Sequence, residues 1–139
     1  MEELLELKKL LVRKDFAGAY ALVEDLEEIG KKSIARNICS YAKILLLHLI
    51  KQQIEQRTTK SWDISIRNSI REIKDLNTRS SSKGTYLNNE ELHEVIAGAV
   101  DSAIDQASIE AAEGIYEARQ IEQRIRNELI KSAIALMQE

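Results

Sequence analysis

Histidine and acidic side chains are the groups in this sequence with the clearest chemical potential. His48 lies in the most apolar stretch of the chain, where an imidazole can exchange a proton or bind a metal. A buried imidazole needs a hydrogen-bond partner. The acidic segment around Asp25 and Glu28 can supply one if the helices on either side of Gly30 pack antiparallel. We interpret His48 as a hydrogen-bonded structural residue and keep it as a candidate site residue.

Pairs of carboxylates, spaced three residues apart, are the second kind of candidate. They are Asp25 with Glu28, Glu72 with Asp75, and Glu110 with Glu113, and in a helix each pair shares a face. Such pairs could hold Mg²⁺, as in all-helical nucleotide pyrophosphatases. The chain has 23 acidic residues, however, so this spacing is also expected by chance on a solvated face. We therefore predict no catalytic residue, no cofactor and no metal, with a Mg²⁺-dependent nucleotide hydrolase as the alternative function.

Two further arrangements are excluded by their spacing. Cys39 precedes His48 by nine residues, which at about 100° per residue places the two on opposite sides of a helix. They cannot form a nucleophile pair there. The Glu90-x-x-His93 segment matches one half of a di-iron bundle site, which needs a second Glu-x-x-His. Leu45 stands three residues before His48, so the second half is missing.

Composition limits the class of protein. The 139 residues are 44% hydrophobic and 31% charged, which suits one folded domain over residues 1–139. Proline is absent and glycine occurs five times, so long helices can run without interruption. A net charge of −3 gives no general attraction to nucleic acid, and no apolar run is long enough to cross a bilayer. We expect a soluble cytoplasmic protein, with neither nucleic acid nor a membrane as partner.

The spacing of apolar residues predicts an all-α bundle of five or six helices. Positions 44–47 are apolar on every side of a helical turn, which predicts a central helix at about residues 33–56 that is covered all round. Gly30 is expected to end the helix before it, and Ser61 to cap the helix after it. A serine-rich segment predicts a flexible break near 79–88.

Other helix ends carry local signals. Asp15 is a good N-cap, and Asn88 with Glu91 has the spacing of a capping box.

A long C-terminal helix is predicted near 115–137, with an apolar stripe along its length. Such a stripe must fold back on the bundle or pack on another subunit, so we predict a homo-oligomer through this helix, with a further protein partner possible.

Three segments, in the same order and spacing, resemble a bacterial family catalogued as domain of unknown function 29. They are the acidic segment 22–30, the histidine-containing segment 46–51 and the Ser-Trp segment 60–67. The resemblance covers mainly residues 15–76, and Gln52 stands where the family often has tryptophan. The resemblance implies an all-helical fold with no established activity, and it leaves function open. Because the sequence has no decisive catalytic signature and the apolar stripe of the C-terminal helix is expected to meet a partner, we predict a non-enzymatic, self-associating interaction or accessory module.

Overall fold

The computed structural model describes residues 2–79, 84–114 and 116–138. Its elements in chain order are α1 (Glu2–Val12), α2 (Phe16–Glu55), α3 (Lys60–Asn77), α4 (Asn89–Glu110), a 3₁₀ turn (Ala111–Gly114) and α5 (Ala118–Met137). Within these residues there is no β-strand, and a single bridge pairs Thr78 with Thr85. The predicted all-α fold is confirmed.

The chain divides into two compact units. The first comprises Met1–Ile34 and the second Ala35–Glu139, so the boundary falls inside α2. The first unit thus holds α1 and the start of α2, and the second holds the rest of α2 with the remaining helices. That residues 1–139 form one domain stays a prediction.

The turn between α1 and α2 is closed by backbone hydrogen bonds. Lys14 has a φ of 62°, in the left-handed region, and its N–H donates to the Leu11 carbonyl at 3.1 Å. The Asp15 N–H donates to the Leu10 carbonyl at 2.9 Å, which completes the Schellman pattern of a helix C-terminus. The Asp15 carboxylate then accepts from the Gly18 N–H at 3.0 Å. The predicted cap at Asp15 is confirmed.

Helix α2 runs through Gly30, so the predicted helix end at that residue is wrong. A glycine ends a helix when it adopts the left-handed conformation, whereas Gly30 stays within the 40-residue helix. A glycine in a helix interior costs about 1 kcal/mol. The spacing of Glu27 with Lys31 and of Glu28 with Lys32 favours the helix and offsets part of that cost. The predicted central helix is therefore the second part of a longer one.

Burial along α2 follows one stripe. In the part of α2 that belongs to the second unit, the buried apolar residues recur at helical spacing: Ile38, Ala42, Leu45, Leu46, Leu49 and Ile50. Leu45 and Leu46 have no exposed area, whereas Ile44 is 42% exposed. The prediction that positions 44–47 are covered on all sides is therefore wrong at Ile44, because this part of α2 buries one face and leaves the opposite face in solvent.

The core of the second unit contains the facing stripes of α4 and α5, which pack along each other, and α5 also contacts α3. The buried residues of α4 are Ile96, Ala99, Val100, Ala103, Ile104 and Ala107. Small alanine side chains allow the neighbouring helix to approach closely. Arg126 of α5 donates to Asp101 of α4 at 2.8 Å and also to Glu122, four residues earlier in the same helix.

The start of α3 differs from the sequence prediction by two residues. Thr59 is the N-cap, and its hydroxyl accepts from the Trp62 N–H at 3.1 Å, so the prediction of Ser61 as the cap is wrong. Both residues are good N-caps by type. At the start of α4 the predicted capping box is confirmed, since Asn88 and Glu91 exchange side-chain hydrogen bonds with each other's backbone.

A buried asparagine holds the segment that follows α3. Asn77 is 6% exposed, and its side-chain amide donates to the Leu87 carbonyl while its side-chain oxygen accepts from the Leu87 N–H. The Tyr86 N–H donates to the Asn77 carbonyl at 2.9 Å. Both ends of the predicted break near 79–88 are thus fixed by hydrogen bonds. Its middle, 80–83, lies outside the described residues.

Candidate functional site

His48 bonds to its own helix. It is half-buried, and its Nδ1 lies 2.8 Å from the carbonyl oxygen of Ile44, one turn earlier. A carbonyl can only accept, so Nδ1 carries the proton and donates. The prediction that an acidic helix partners His48 across a turn at Gly30 is wrong, because α2 has no turn there. The Ile44 carbonyl, in the same helix, is thus the hydrogen-bond partner of Nδ1.

The candidate carboxylate pairs lie in different units of the chain. Asp25 and Glu28 are exposed on the part of α2 that belongs to the first unit. Glu72 is half-buried and Asp75 exposed on α3, in the second unit. Among the residues that the structure describes, no group of three or more histidine, cysteine, aspartate or glutamate side chains is arranged to hold a metal ion. The hydrolase alternative stays a prediction.

A polar network joins the end of α2 to the end of α4. Lys51 Nζ donates to Glu110 Oε1 at 2.8 Å, and Gln106 donates to the other carboxylate oxygen at 2.6 Å. These hydrogen bonds hold the pKa of Glu110 below its ordinary value. The Lys51 side chain is 12% exposed and its ammonium lies 5.7 Å from the Trp62 ring centre. Lys51 is thus enclosed by a charge partner and an aromatic face.

Glu55 extends the same network. Its Oε2 accepts from the backbone N–H of Ala112 at 3.1 Å, and its Oε1 accepts from Arg57 at 2.9 Å. The Ala112 N–H first, and Arg57 after it, lower the pKa of Glu55. Arg57 also lies over Trp62, 4.8 Å from the ring centre. Lys51 and Arg57 thus pair with Glu110 and Glu55, and the network joins the end of α2 to the end of α4.

Replacing Glu110 by glutamine is expected to lower the free energy of unfolding at pH 7 by about 1 kcal/mol or less. The Glu110 side chain is 36% exposed, so solvent screens its pair with Lys51. Because folding lowers the pKa of Glu110, the stabilisation is complete above the glutamate pKa in the unfolded chain, about 4.3. It is lost as pH falls through the lower pKa of the folded state.

Urea denaturation between pH 7 and about pH 3 measures this loss. The difference in the free energy of unfolding between the wild type and Glu110→Gln should shrink as the pH falls. Glu94→Gln, at an exposed position of α4, is the matched control and should show no such trend. A Glu110→Gln difference that stays constant across the series would contradict the electrostatic explanation.

An exposed apolar surface covers much of the first unit. Among the described residues, seven of the ten large apolar side chains that are exposed lie in this unit, and Val12 is the most exposed at 82%. We call six of them the N-terminal apolar surface: Leu4, Leu5, Leu11, Val12, Phe16 and Tyr20. Helix α1 has no buried residue. Heptad spacing places Leu4 above Leu11 and Leu5 above Val12, so the exposed leucines form rows.

A cleft opens in the second unit, where α3, α4 and α5 meet. It has a volume of about 290 Å³. Its lining, which defines what we call the α3–α5 cleft, is Ile73, Lys74, Asn77, Thr78, Thr85, Asn89, Leu92, His93, Ile134, Met137 and Gln138. No sequence motif indicated it, because its residues come from four separate segments of the chain.

The C-terminal helix packs within the second unit. The residues of its apolar stripe are buried: Ile121, Ile125, Leu129, Ala133 and Met137. These side chains face the interior that α5 forms with α4 and α3. Of the two outcomes expected for this stripe, folding back on the bundle is the one observed. Among the described helices, none combines the length and the hydropathy that crossing a bilayer requires.

Comparison with known proteins places the chain in a family. The model of Domain of unknown function DUF29 matches residues 8–130, which extends the predicted resemblance in both directions to most of the chain. The searches of curated proteins and of solved structures gave no significant match. The chain therefore belongs to the DUF29 family.

Proposed function

We propose that this chain is a non-enzymatic helical interaction module that self-associates through the N-terminal apolar surface. The observation that supports this is the concentration of exposed apolar side chains in the first unit. Val12 and Phe16 flank the turn between α1 and α2 and are 82% and 65% exposed. A concentration of exposed apolar side chains of this kind is typical of sites that bind another protein.

The charges of α1 favour a second copy of the chain as the partner. The first half of this region is acidic and the second half basic: Glu2, Glu3 and Glu6, followed by Lys8, Lys9, Arg13 and Lys14. Two copies related by a two-fold axis place the acidic half of one α1 against the basic half of the other. Such an interface is self-complementary, since the same patch serves both subunits.

The sequence predicted self-association through the C-terminal helix, whereas we propose the N-terminal apolar surface instead. The apolar stripe of α5 already packs against α4 and α3, so burying it requires no second subunit. Deleting α5 would expose the buried alanines of α4 and would test folding before it tested assembly. The N-terminal apolar surface has no such internal role, because α1 contains no buried residue.

Replacing both Val12 and Phe16 by serine is expected to weaken self-association by at least about tenfold. Burying a valine or phenylalanine contributes about 1.5–3 kcal/mol, and a tenfold change in affinity corresponds to about 1.4 kcal/mol. Light scattering over a concentration series measures the mass. Ile109→Ser removes an equally exposed apolar residue from the second unit, 70% exposed, and should leave the mass unchanged.

A charge exchange tests the geometry of the interface. Replacing all four basic residues by glutamate should weaken association, because two acidic halves then meet: Lys8, Lys9, Arg13 and Lys14. Replacing Glu2, Glu3 and Glu6 by lysine in the same chain should restore it, since the region becomes self-complementary again with its charges reversed. A wild type that keeps the monomer mass at every concentration would contradict self-association. If the second set of replacements does not restore the mass of the assembly, the antiparallel arrangement is contradicted.

A further inference from the structure

We propose that the α3–α5 cleft binds a small uncharged molecule that has an aliphatic body and a hydroxyl head. This site lies wholly within the second unit and does not depend on the N-terminal apolar surface. A volume of about 290 Å³ is at the lower end of the range for small-molecule sites, about 300–1,000 Å³. The cleft therefore suits a short aliphatic chain.

The floor of the cleft is apolar. Ile73 and Met137 are 1% and 8% exposed, and Leu92 and Ile134 are half-buried. These four side chains come from three helices and line the same cleft. An aliphatic chain inserted there removes apolar surface from water on both sides of the contact. The floor therefore gives affinity for hydrocarbon and offers no partner to a charged group.

Several polar residues of the lining already serve the fold. Both polar atoms of the Asn77 side chain bond the Leu87 backbone, and the Thr85 hydroxyl also donates to the Leu87 carbonyl. The Thr78 hydroxyl donates to the Lys74 carbonyl at 2.7 Å, and Lys74 has an interaction partner of its own. Among the described residues, no buried polar atom of a side chain lacks a hydrogen-bond partner. The interior of the cleft thus favours an apolar body over a polar one.

Three exposed polar side chains at the mouth of the cleft can recognise the head of a ligand. Asn89, His93 and Gln138 line both the cleft and a shallow depression that shares this part of its lining. Their side chains make no hydrogen bond to any other residue that the structure describes. An amide and a neutral imidazole each offer both a donor and an acceptor. A hydroxyl group also donates and accepts, so it matches this set.

Charges of both signs border the opening, so neither an anionic nor a cationic head is selected there. Glu90 and Glu94 line the shallow depression and repel a carboxylate. Lys74 lines the cleft itself and repels an ammonium group. A charged head would also lose part of its hydration on binding, whereas an uncharged head loses much less. The opening therefore favours an uncharged head over either ion.

A methionine resonance reports directly on the cleft. The chain contains two methionines, and Met137 lies in the cleft floor. Labelling the methionine methyl groups with ¹³C therefore gives a simple spectrum, and Met137→Leu assigns the cleft signal. Titration with hexan-1-ol should shift the Met137 signal to saturation. The Met1 signal is the internal comparison for non-specific effects.

The head group is varied while the size of the ligand is kept. Methyl pentyl ether is an isomer of hexan-1-ol whose oxygen can accept a hydrogen bond but cannot donate one. The alcohol should bind about three- to tenfold more tightly than the ether, because it also donates to the mouth. Hexanoate and hexylamine should each bind at least about threefold more weakly than the alcohol. Equal binding of the alcohol and the ether, or tighter binding of either ion, would overturn the proposal.

A double variant tests the recognition of the head. Asn89→Ala with His93→Ala should lower the affinity for hexan-1-ol to that for the ether, and should leave the affinity for the ether unchanged. Asn68→Ala with Gln123→Ala changes two exposed polar residues outside the cleft lining and should leave both affinities unchanged. An equal loss of both ligands in the first variant would show a structural effect and would contradict hydrogen bonding to the head.

A last comparison separates this site from self-association. The Val12→Ser, Phe16→Ser chain changes only the N-terminal apolar surface and should bind hexan-1-ol with unchanged affinity. A loss of binding in this chain would place the alcohol on that surface and would overturn the assignment to the cleft. The absence of a saturable shift of the Met137 signal in the wild type would refute a ligand site.

Discussion

Replacing Leu46 by alanine is expected to lower the free energy of unfolding by about 2–5 kcal/mol. Leu46 has no exposed area and belongs to the buried stripe of α2. The substitution removes three carbon atoms from a packed interior and leaves a cavity that the neighbouring side chains fill only in part. A chain of this size unfolds with a total free energy of about 5–15 kcal/mol, so the loss is a large fraction of it.

The neighbouring residue Ile44 provides the control. It is 42% exposed, lies two positions away in the same helix and loses the same number of carbon atoms on replacement by alanine. Ile44→Ala should cost about 1 kcal/mol or less, because its side chain is already largely hydrated and alanine is the better helix former. Urea denaturation followed by circular dichroism measures both. Equal losses for the two variants would show that this part of α2 is covered on both faces.

Replacing Asn77 by alanine is expected to cost about 1–3 kcal/mol, the second largest effect. The change removes the acceptor of the Leu87 N–H, and a buried donor without a partner loses its hydration without compensation. The Leu87 carbonyl keeps the hydroxyl of Thr85, at 2.6 Å, so it stays satisfied. The N–H therefore accounts for most of the cost.

Asn68→Ala is the matched control for this second prediction. Asn68 is an exposed residue of the same helix, and its replacement should change stability by no more than about 0.5 kcal/mol. Amide hydrogen exchange gives a local readout as well. The Leu87 amide should exchange faster in Asn77→Ala than in Asn68→Ala. Unchanged protection of that amide would contradict the proposed role of the asparagine.

Local helix signals were predictable from the sequence. The caps at Asp15 and Asn88 depend on residues within three positions of each other, so the sequence contains all the information that they need. The end of α2 at Gly30 was predicted on the same kind of signal and is wrong. A glycine is necessary for many helix ends but does not by itself stop a helix whose neighbours favour it. The choice of Thr59 over Ser61 shows the same limit, because both residues fit the role.

The burial of individual residues and the composition of the candidate sites were harder to predict from the sequence. The apolar run at 44–47 indicated a buried helix, yet Ile44 is exposed, because coverage is decided by the packing of neighbouring helices. The polar network pairs Lys51 with Glu110, which lie 59 positions apart in the sequence. Neither this pairing nor the α3–α5 cleft has a local motif. The exposed leucines of α1 could have been noticed, since their spacing gives two apolar rows on one short helix.

The turn at Lys14 has a consequence for the evolution of the chain. A residue other than glycine in the left-handed region raises the energy of the folded backbone by about 1–2 kcal/mol. Gln56 and Ala112 adopt the same region, with φ of 52° and 47°. In each of these three connections, glycine would adopt the same backbone conformation without that strain. Replacing Lys14, Gln56 or Ala112 by glycine can therefore raise the free energy of unfolding without altering the core. A more stable chain tolerates more destabilising mutations elsewhere.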